Sequence, residues 1–306
     1  MERRCHKVAI PGELLKAVHF CAARRYTPKT SDLGVAFGGA SSTSIGLMRD
    51  PRAILITGAS GGIGGALARA YARPGIRLAL TGRNAERLEV CAASCRAAGA
   101  EVRAEALDVV DTKSVAAWVE AIDRDWPLDL VVANAGITGG LSGEQRSENL
   151  ADVQRMMSIN FGGACNTLHP VIPAMRRRRR GQLALMSSLA ALRGLPYSPA
   201  YCASKAALKA YGEALRAWLN PEGIEVTVVL PGFVDTRLAG HVAGPKPFQM
   251  TAERAAAIIR RRLRRGPARI AFPILLHAGA RLLASLPADV ADRLLSSFKV
   301  EIQHYE

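Results

Sequence analysis

A chain of 306 residues is long enough to bury one large core or two small ones. Hydrophobic residues at 49% and charged residues at 22% are typical of a globular protein, and the formal net charge is +15. No apolar run approaches the roughly 18 residues that a transmembrane helix needs. The six cysteines are scattered, as are the histidines, which argues against a disulfide framework or a metal site and predicts a cytoplasmic protein with reduced thiols.

The first 47 residues differ from the sequence that follows them. Their apolar residues have no sustained period, and they end in a stretch rich in Gly, Ser and Thr. Three interpretations are open: an organelle-type presequence, a disordered arm, or translation upstream of the true start at Met48. We favour the last one and expect this leader, residues 1–47, to carry no functional site.

From Arg52 onward, short apolar runs rich in Val, Ile and Leu alternate with longer helical segments. Strands are predicted at 53–57, 77–81, 102–107, 128–134, 182–187 and 224–230. Helices are predicted at 62–73, 85–98, 112–125, 147–179 and 201–219. Strands that are apolar on both faces and separated by helices indicate a parallel sheet covered on both sides. The predicted fold is therefore α/β, a doubly wound, Rossmann-like sheet in a single domain over 48–272.

Two basic runs account for much of the positive charge: five arginines at 176–180, and "RRRLRR" at 260–265. Such runs suggest a nucleic-acid footprint. Each run, however, ends a predicted helix just before a strand, where cations favour the negative end of the helix dipole. No aromatic residues interleave with either run to stack on bases. We therefore favour the helix-end interpretation over nucleic-acid binding.

The C-terminal tail, residues 273–306, is predicted to follow a last strand as two short helices. The segment "ILLHAGARLLASL" is apolar over most of its circumference and carries little charge. It fits packing against the core or another subunit, a lid over a substrate cleft, or a helix lying on a membrane surface. We favour packing and leave peripheral membrane association open.

A glycine-rich turn, "TGASGGIG" at 57–64, follows the first predicted strand and leads into a helix. Gly58, Gly62 and Gly64 allow a tight turn and a close backbone approach. The helix N-terminus then offers free N–H groups and a positive dipole end to a pyrophosphate. In this position the turn predicts dinucleotide binding.

The segment "YCASK" places Tyr201 and Lys205 one helical turn apart, on the same face. Taken alone, this pair fits an ordinary half-buried ring beside a solvated cation. Other motifs follow the strands in order: "NAG" at 134–136, "SIN" ending at Asn160, "SSLAALRGLPYSPAY" at 187–201 and "PGFVDT" at 231–236. With these motifs and the TGxxxGxG spacing, the chain from about residue 53 resembles the short-chain dehydrogenase/reductase family over roughly 220 residues.

The resemblance implies a catalytic tetrad. Tyr201 matches the general acid/base, and Lys205 matches the residue that favours its phenolate and holds the nicotinamide ribose. Ser188, thirteen residues before the tyrosine, matches the serine that orients the substrate oxygen, which selects it over Ser187. Asn160 matches the helix asparagine that holds a water in a proton relay to the lysine.

The resemblance also implies the cofactor contacts. Ile63 is expected to pack under the pyrophosphate turn, Asp108 matches the adenine contact, and Tyr201 and Lys205 are cofactor contacts as well. The remaining positions are carried over from the glycine turn, the fourth strand and the loop after the sixth strand: Gly58, Ser60, Gly62, Gly64, Asn134, Ala135, Gly136, Pro231, Gly232, Val234 and Thr236.

The end of the second strand bears on the choice between NADP and NAD. An NAD site usually has an acid there to bind the ribose hydroxyls. This chain has Gly82 at that place and Arg83 next to it, so a guanidinium is available for a 2′-phosphate. We predict NADP, although Arg83 also fits a solvated turn residue.

The predicted function is an NAD(P)-dependent oxidoreductase that interconverts a ketone or aldehyde and an alcohol by hydride transfer. Segments 139–147 and 236–256, with Phe248 and Met250, are expected to line the cleft for a small, partly apolar substrate. Two alternatives stay open: a 3-oxoacyl-thioester reductase, and a non-catalytic cofactor-binding scaffold. A homodimer or homotetramer is expected from the resemblance.

Overall fold

A computed structural model describes residues 50–141 and 147–296, together with the backbone of 301–302. The predicted leader, 1–47, and most of the predicted substrate segment at 139–147 therefore lie outside the described residues. Within the described ranges, no helix is long and apolar enough to cross a membrane. The same ranges contain no group of three or more His, Cys, Asp or Glu side chains arranged to hold a metal ion.

A seven-stranded parallel sheet forms the centre of the molecule. Its strands are β1 (Ala53–Thr57), β2 (Arg77–Thr81), β3 (Glu101–Glu105), β4 (Leu130–Ala133), β5 (Gly181–Met186), β6 (Ile224–Pro231) and β10 (Arg269–Phe272). Their order across the sheet is β10-β6-β5-β4-β1-β2-β3. The order reverses between β4 and β1, which creates a crevice beyond their carboxyl ends. The predicted doubly wound α/β fold is confirmed.

Short strands lie outside this sheet: β7 (Val234–Asp235) pairs with β9 (Met250–Thr251), and β8 (Val242–Ala243) pairs with β11 (Glu301–Ile302). The α-helices of the described chain are α1 (Gly62–Tyr71), α2 (Ala85–Ala97), α3 (Thr112–Asp125), α4 (Leu150–Met157), α5 (Gly163–Leu168), α6 (Ile172–Arg178), α7 (Pro199–Leu219), α8 (Arg237–Gly240), α9 (Ala252–Leu263), α10 (Ile274–Ser285) and α11 (Ala288–Ser296).

The prediction of one continuous helix over 147–179 was wrong. A π-helical turn at Ser158–Gly162 separates α4 from α5. The helix then ends at Leu168, and α6 begins at Ile172 after a short turn. Pro173 lies at the second position of α6, where its missing N–H costs nothing. The π-helical turn contains Asn160, and such turns are frequent at functional sites.

Alternating residues of the central strands bury two separate apolar layers. Ile54 and Ile56 pack on one face with α1, α2 and α9, whereas Leu55 packs on the other face with α3, α5 and α7. All five residues of β1 are buried, as expected for a parallel strand covered on both sides. This double burial holds the strand ends, and hence the crevice, in a fixed position.

The arginine run at 176–180 is largely engaged in contacts within the chain. Arg178 donates two hydrogen bonds to the buried Asp123 carboxylate, at 2.8 and 2.9 Å. Arg176 is paired with Glu222 and lies over the Trp218 ring. Because these arginines terminate α6 and bind local partners, their charge is explained by the fold, in agreement with the helix-end interpretation.

The tail continues directly from the edge strand β10. Its first helix, α10, has no fully buried residue, and Ile274 and Leu275 are each 68% exposed. The second helix, α11, buries Ala291 and Leu295. The predicted strand followed by two short helices is confirmed.

Candidate active site

The glycine turn brings the backbone of β1 into close contact with the end of β4. Gly58 and Gly62 have φ of 70° and 54°, which L residues with a side chain rarely adopt. A Cβ at Gly64 would stand 2.5 Å from Nδ2 of Asn134 and even closer to the Gly58 carbonyl oxygen. Only glycine fits there. Gly61, at the N-cap of α1, contributes no side-chain cap, so the first-turn N–H groups of α1 suit a phosphate.

Thr57 fixes the end of β4 against this turn. Its Oγ1 accepts hydrogen bonds from the backbone N–H groups of Asn134 and Ala135, at 3.0 and 3.1 Å. Asn134 Nδ2 in turn donates to the Thr57 carbonyl oxygen at 2.9 Å. Two of the predicted cofactor contacts, Asn134 and Ala135, are thus positioned by Thr57. Thr57 begins the glycine-rich motif, but the sequence alone indicated no role for its side chain.

Asn160 is fully buried and anchors the loop that follows β4. Its Oδ1 accepts from the Ile137 N–H at 2.8 Å, and its Nδ2 donates to the Ile137 carbonyl at 3.0 Å and to Ser204 Oγ at 2.9 Å. A Cβ at Gly136 would lie 3.0 Å from Asn160 Oδ1 and 3.2 Å from Lys205 Nζ. Asn160, Gly136 and Lys205 therefore meet, and Ser204, which sequence reasoning missed, joins this network.

Tyr201 and Lys205 lie on one face of α7, as their spacing predicts. Lys205 is 4% exposed, its Nζ donates to the Met186 carbonyl at 3.0 Å, and it lies 5.8 Å from the centroid of the Tyr201 ring. Burial lowers the pKa of Lys205 from 10.5 to about 8. Burial raises the pKa of Tyr201 to about 12, opposed by its interaction with the Ser188 hydroxyl. Without a bound cofactor, therefore, desolvation dominates both titrations.

The two adjacent serines after β5 have different environments. Ser187 is buried, and its hydroxyl donates to the Lys205 carbonyl at 2.7 Å. Ser188 is half-buried, accepts from the Ala190 N–H at 3.1 Å and faces the Tyr201 phenol. Of these two serines, only Ser188, the one that the resemblance implies, interacts with the Tyr201 phenol.

The end of β2 meets the glycine turn through Ser60. A Cβ at Gly82 would stand 2.9 Å from Ser60 Oγ and 3.1 Å from Ser60 Cβ. Arg83 is exposed and makes no hydrogen bond or ion pair with any described residue. Asp108, after β3, is half-buried and accepts from the Val110 N–H at 3.1 Å.

The segment after β6 closes the other side of the crevice. Pro231 ends β6, and the Gly232 N–H donates to the Phe272 carbonyl at 2.8 Å. The Thr236 methyl lies 3.3 Å from where a Cβ would stand on Gly62, so this segment reaches the glycine turn. Val234, which lies between Gly232 and Thr236 in the chain, is buried, with 5% of its surface exposed.

Four apolar residues predicted near the ligands have different exposures. Val234 and Met250 pair in a small sheet and are both buried in the core. The expectation that Met250 lines the substrate cleft was therefore wrong. Phe248 is 56% exposed, and Ile63 is half-buried against the core below the turn.

These strand ends, with the glycine turn at the point where the strand order reverses, define a dinucleotide-binding α/β enzyme. The family model for short chain dehydrogenase matches residues 52–245. The chain belongs to the short-chain dehydrogenase/reductase family and is an oxidoreductase of that family.

Known proteins support this assignment. An uncharacterized oxidoreductase of Myxococcus xanthus is 38% identical over 242 residues, which is 79% of this chain and 95% of the relative. A short-chain dehydrogenase from Sphingobium yanoikuyae, solved with NADPH, superposes with a TM-score of 0.66 at 26% identity, covering 80% of this chain and 95% of that one. NAD+-bound xylitol dehydrogenase gives a TM-score of 0.65 at 25% identity, over 72% and 97%. Against several other curated relatives, the matched region spans only 59% to 61% of their length.

Proposed function

We propose that the protein is an NADP-preferring oxidoreductase that interconverts a ketone or aldehyde and the corresponding alcohol. The observation that carries this proposal is the convergence of Ser188, Tyr201, Lys205 and Asn160 beside the glycine turn. The nicotinamide, when bound, supplies or accepts the hydride at the carbonyl carbon. Proton transfer and stabilisation of the substrate oxygen are carried out by side chains of this protein.

In the reducing direction, the Tyr201 phenol gives its proton to the substrate oxygen. The Ser188 hydroxyl donates a hydrogen bond to the same oxygen and stabilises the charge that develops there. Lys205, whose pKa is lowered to about 8, stands one turn away to supply positive charge to the phenolate and to pass a proton at neutral pH. Asn160, which is hydrogen-bonded to Ile137 in the loop after β4, holds a water in a proton relay to Lys205.

The preference for NADP rests on the end of β2. No carboxylate directly follows that strand, where Gly82 and Arg83 lie, and Ser60 occupies the space next to Gly82. Arg83 is exposed and unpaired among the described residues, so its guanidinium is available for bidentate binding of a 2′-phosphate.

Titration of the full-length protein with NADPH and with NADH, followed by cofactor fluorescence, tests this preference. We expect NADPH to bind more tightly, and Arg83→Ala to weaken NADPH binding about tenfold or more while leaving NADH binding unchanged. Arg124→Ala, at the far end of α3, is the matched control. Equal binding of both cofactors, unaffected by Arg83→Ala, would contradict the assignment to NADP.

A panel of carbonyl compounds with NADPH tests the reaction itself. The panel contains aliphatic and aromatic ketones, aldehydes, and an acetoacetyl thioester that represents the 3-oxoacyl alternative. Tyr201→Phe is expected to retain NADPH binding, weakened only by the loss of one predicted hydroxyl contact, and to lose turnover at least about a hundredfold, since it removes the proton donor. Turnover of the thioester alone would favour the alternative, and binding without any turnover would favour a scaffold.

The remaining proposals concern organisation. We propose a leader at 1–47, a catalytic domain at 48–272 and a tail at 273–306, in a homodimer or homotetramer. A cytoplasmic location is supported by the free thiols of Cys91, Cys95, Cys165 and Cys202. Light scattering tests the assembly, and sedimentation with anionic vesicles, comparing the full chain with one ending at Phe272, tests peripheral membrane contact.

A further inference from the structure

The C-terminal tail enters the molecule at the edge of the sheet where the proposed site lies. Strands β10 and β6 are parallel, and Phe272 is in register with Pro231. The chain therefore leaves β10 beside the residues that follow β6, and the Gly232 N–H binds the Phe272 carbonyl. Helix α10 begins two residues later, at this carboxyl edge.

Leu276, in the first turn of α10, contacts both segments that border the proposed substrate position. Its Cδ2 lies 2.9 Å from where a Cβ would stand on Gly232, and Leu189 Cδ1 lies 3.4 Å from the same point. Leu276 also packs with the apolar cluster that contains Leu189 and Leu192. It is half-buried, whereas the preceding Leu275 is 68% exposed.

A second contact holds the tail on the same segment. Asp292, in α11, forms a 2.6 Å ion pair with Arg193, five residues after Ser188. The two helices of the tail therefore contact the chain between Ser188 and Tyr201 at two separate places. The sequence alone left a lid over the substrate cleft open for this tail but indicated none of its residues as part of the site.

From this packing we infer that the tail forms a wall of the substrate cleft, and that Leu276 limits the size of the apolar group attached to the carbonyl carbon. The inference rests on the proposed function. Leu189 directly follows Ser188, and Leu276 bridges Leu189 and Gly232. A substrate with its oxygen at Ser188 and Tyr201 would therefore have this apolar contact beside it. Since Leu276 offers no hydrogen bond, it selects by shape, and in an apolar pocket one methylene changes kcat/KM by about tenfold or more.

The test compares straight-chain methyl ketones of increasing length and acetophenone, with NADPH, in two opposite variants. Leu276→Ala widens the wall and is expected to raise the ratio of kcat/KM for acetophenone to that for 2-butanone about tenfold. Leu276→Phe narrows it and is expected to lower the same ratio about tenfold. Leu275→Ala and Leu275→Phe change the exposed neighbour and are expected to leave the ratio unchanged.

The outcomes separate the inference from the function on which it rests. If 2-butanone is reduced equally by all variants and the ratio does not move, the assignment of Leu276 is wrong although the enzyme acts on ketones. If both Leu276 variants lose activity on every ketone in parallel with a lower Tm, the residue is structural only. If the natural protein binds NADPH but reduces no ketone, the proposed function fails and the inference falls with it.

Discussion

The junction of β1 with β4 and the beginning of the tail border the same crevice but are built differently. At the junction, Gly58, Gly64 and Asn134 approach so closely that no other side chain fits. At the tail, Leu276 and its neighbours form apolar contacts between half-buried groups, and α10 remains largely exposed. The first arrangement allows only glycine at positions 58 and 64, whereas the second accepts any apolar side chain of suitable size. A cofactor site of the first kind leaves a sequence motif, and a substrate site of the second kind does not.

The largest effect is expected from Gly64→Ala. The added methyl would overlap the Gly58 carbonyl oxygen and the Asn134 side-chain nitrogen, both held by the strand ends. Because overpacking against backbone cannot relax by a rotamer change, we expect a loss of about 3 kcal/mol in unfolding free energy, with loss of NADPH binding. Denaturant unfolding and cofactor titration measure the two effects.

Gly61→Ala is the matched control in the same turn, since a Cβ there meets nothing within 4 Å and the backbone is extended. We expect it to change the unfolding free energy by less than about 1 kcal/mol. Equal effects of the two substitutions would mean that close packing does not determine the glycine at position 64.

Lys205→Met is expected to stabilise the cofactor-free protein at neutral pH. Because the folded pKa of Lys205 is about 8 and its ordinary value is 10.5, burying the charged lysine costs free energy below about pH 8. The pKa shift corresponds to a cost of about 3 kcal/mol, which the substitution removes. Loss of the hydrogen bond to the Met186 carbonyl destabilises the variant by about 1 kcal/mol, so the unfolding free energy should rise by about 2 kcal/mol. Turnover should be lost at the same time.

The pH dependence identifies the cause of that gain. Between about pH 8 and 10.5 the unfolded chain binds a proton that the folded natural protein lacks, so the natural protein becomes more stable as pH rises. The advantage of Lys205→Met must therefore shrink across this interval. Lys209→Met, one turn along α7 and paired with Glu213, is the control and should give no such gain. A gain that is constant with pH would exclude the charge as its source.

Substitutions at Gly82 and Ser60 test whether the close contact between these residues also determines the preference between NADPH and NADH. Gly82→Asp introduces the acid typical of NAD sites, but its Cβ would meet Ser60 Oγ at 2.9 Å. Alone it is expected to weaken the binding of both cofactors. Combined with Ser60→Gly, it should shift the ratio of NADPH to NADH affinity about tenfold toward NADH. If Gly82→Asp alone shifts the affinity ratio about tenfold toward NADH, the contact with Ser60 does not limit cofactor preference.

The parts of the molecule that sequence could predict are those that backbone geometry or periodicity determines. Apolar runs predicted the strands, whereas the resemblance to the family implied Ser188, thirteen residues before Tyr201, and its hydroxyl interacts with the phenol. The break before α6 was missed, although Pro173 was a signal for it. Ser204 and Leu276 could not have been found, because their partners are brought together only by the packing of distant segments.

The smallest effect is expected at the exposed end of the tail, from Asp292→Asn. This change removes the ion pair with Arg193. The Asp292 side chain is 67% exposed, so water screens the pair. Exposed pairs contribute less than about 1 kcal/mol, so the unfolding free energy should change by no more than that. If the tail is held chiefly by the apolar contacts of Leu276, the preference of Asp292→Asn among ketones of different size should equal that of the natural protein. A large change in that preference would mean that the ion pair, and not the apolar packing, holds the tail against the segment between Ser188 and Tyr201.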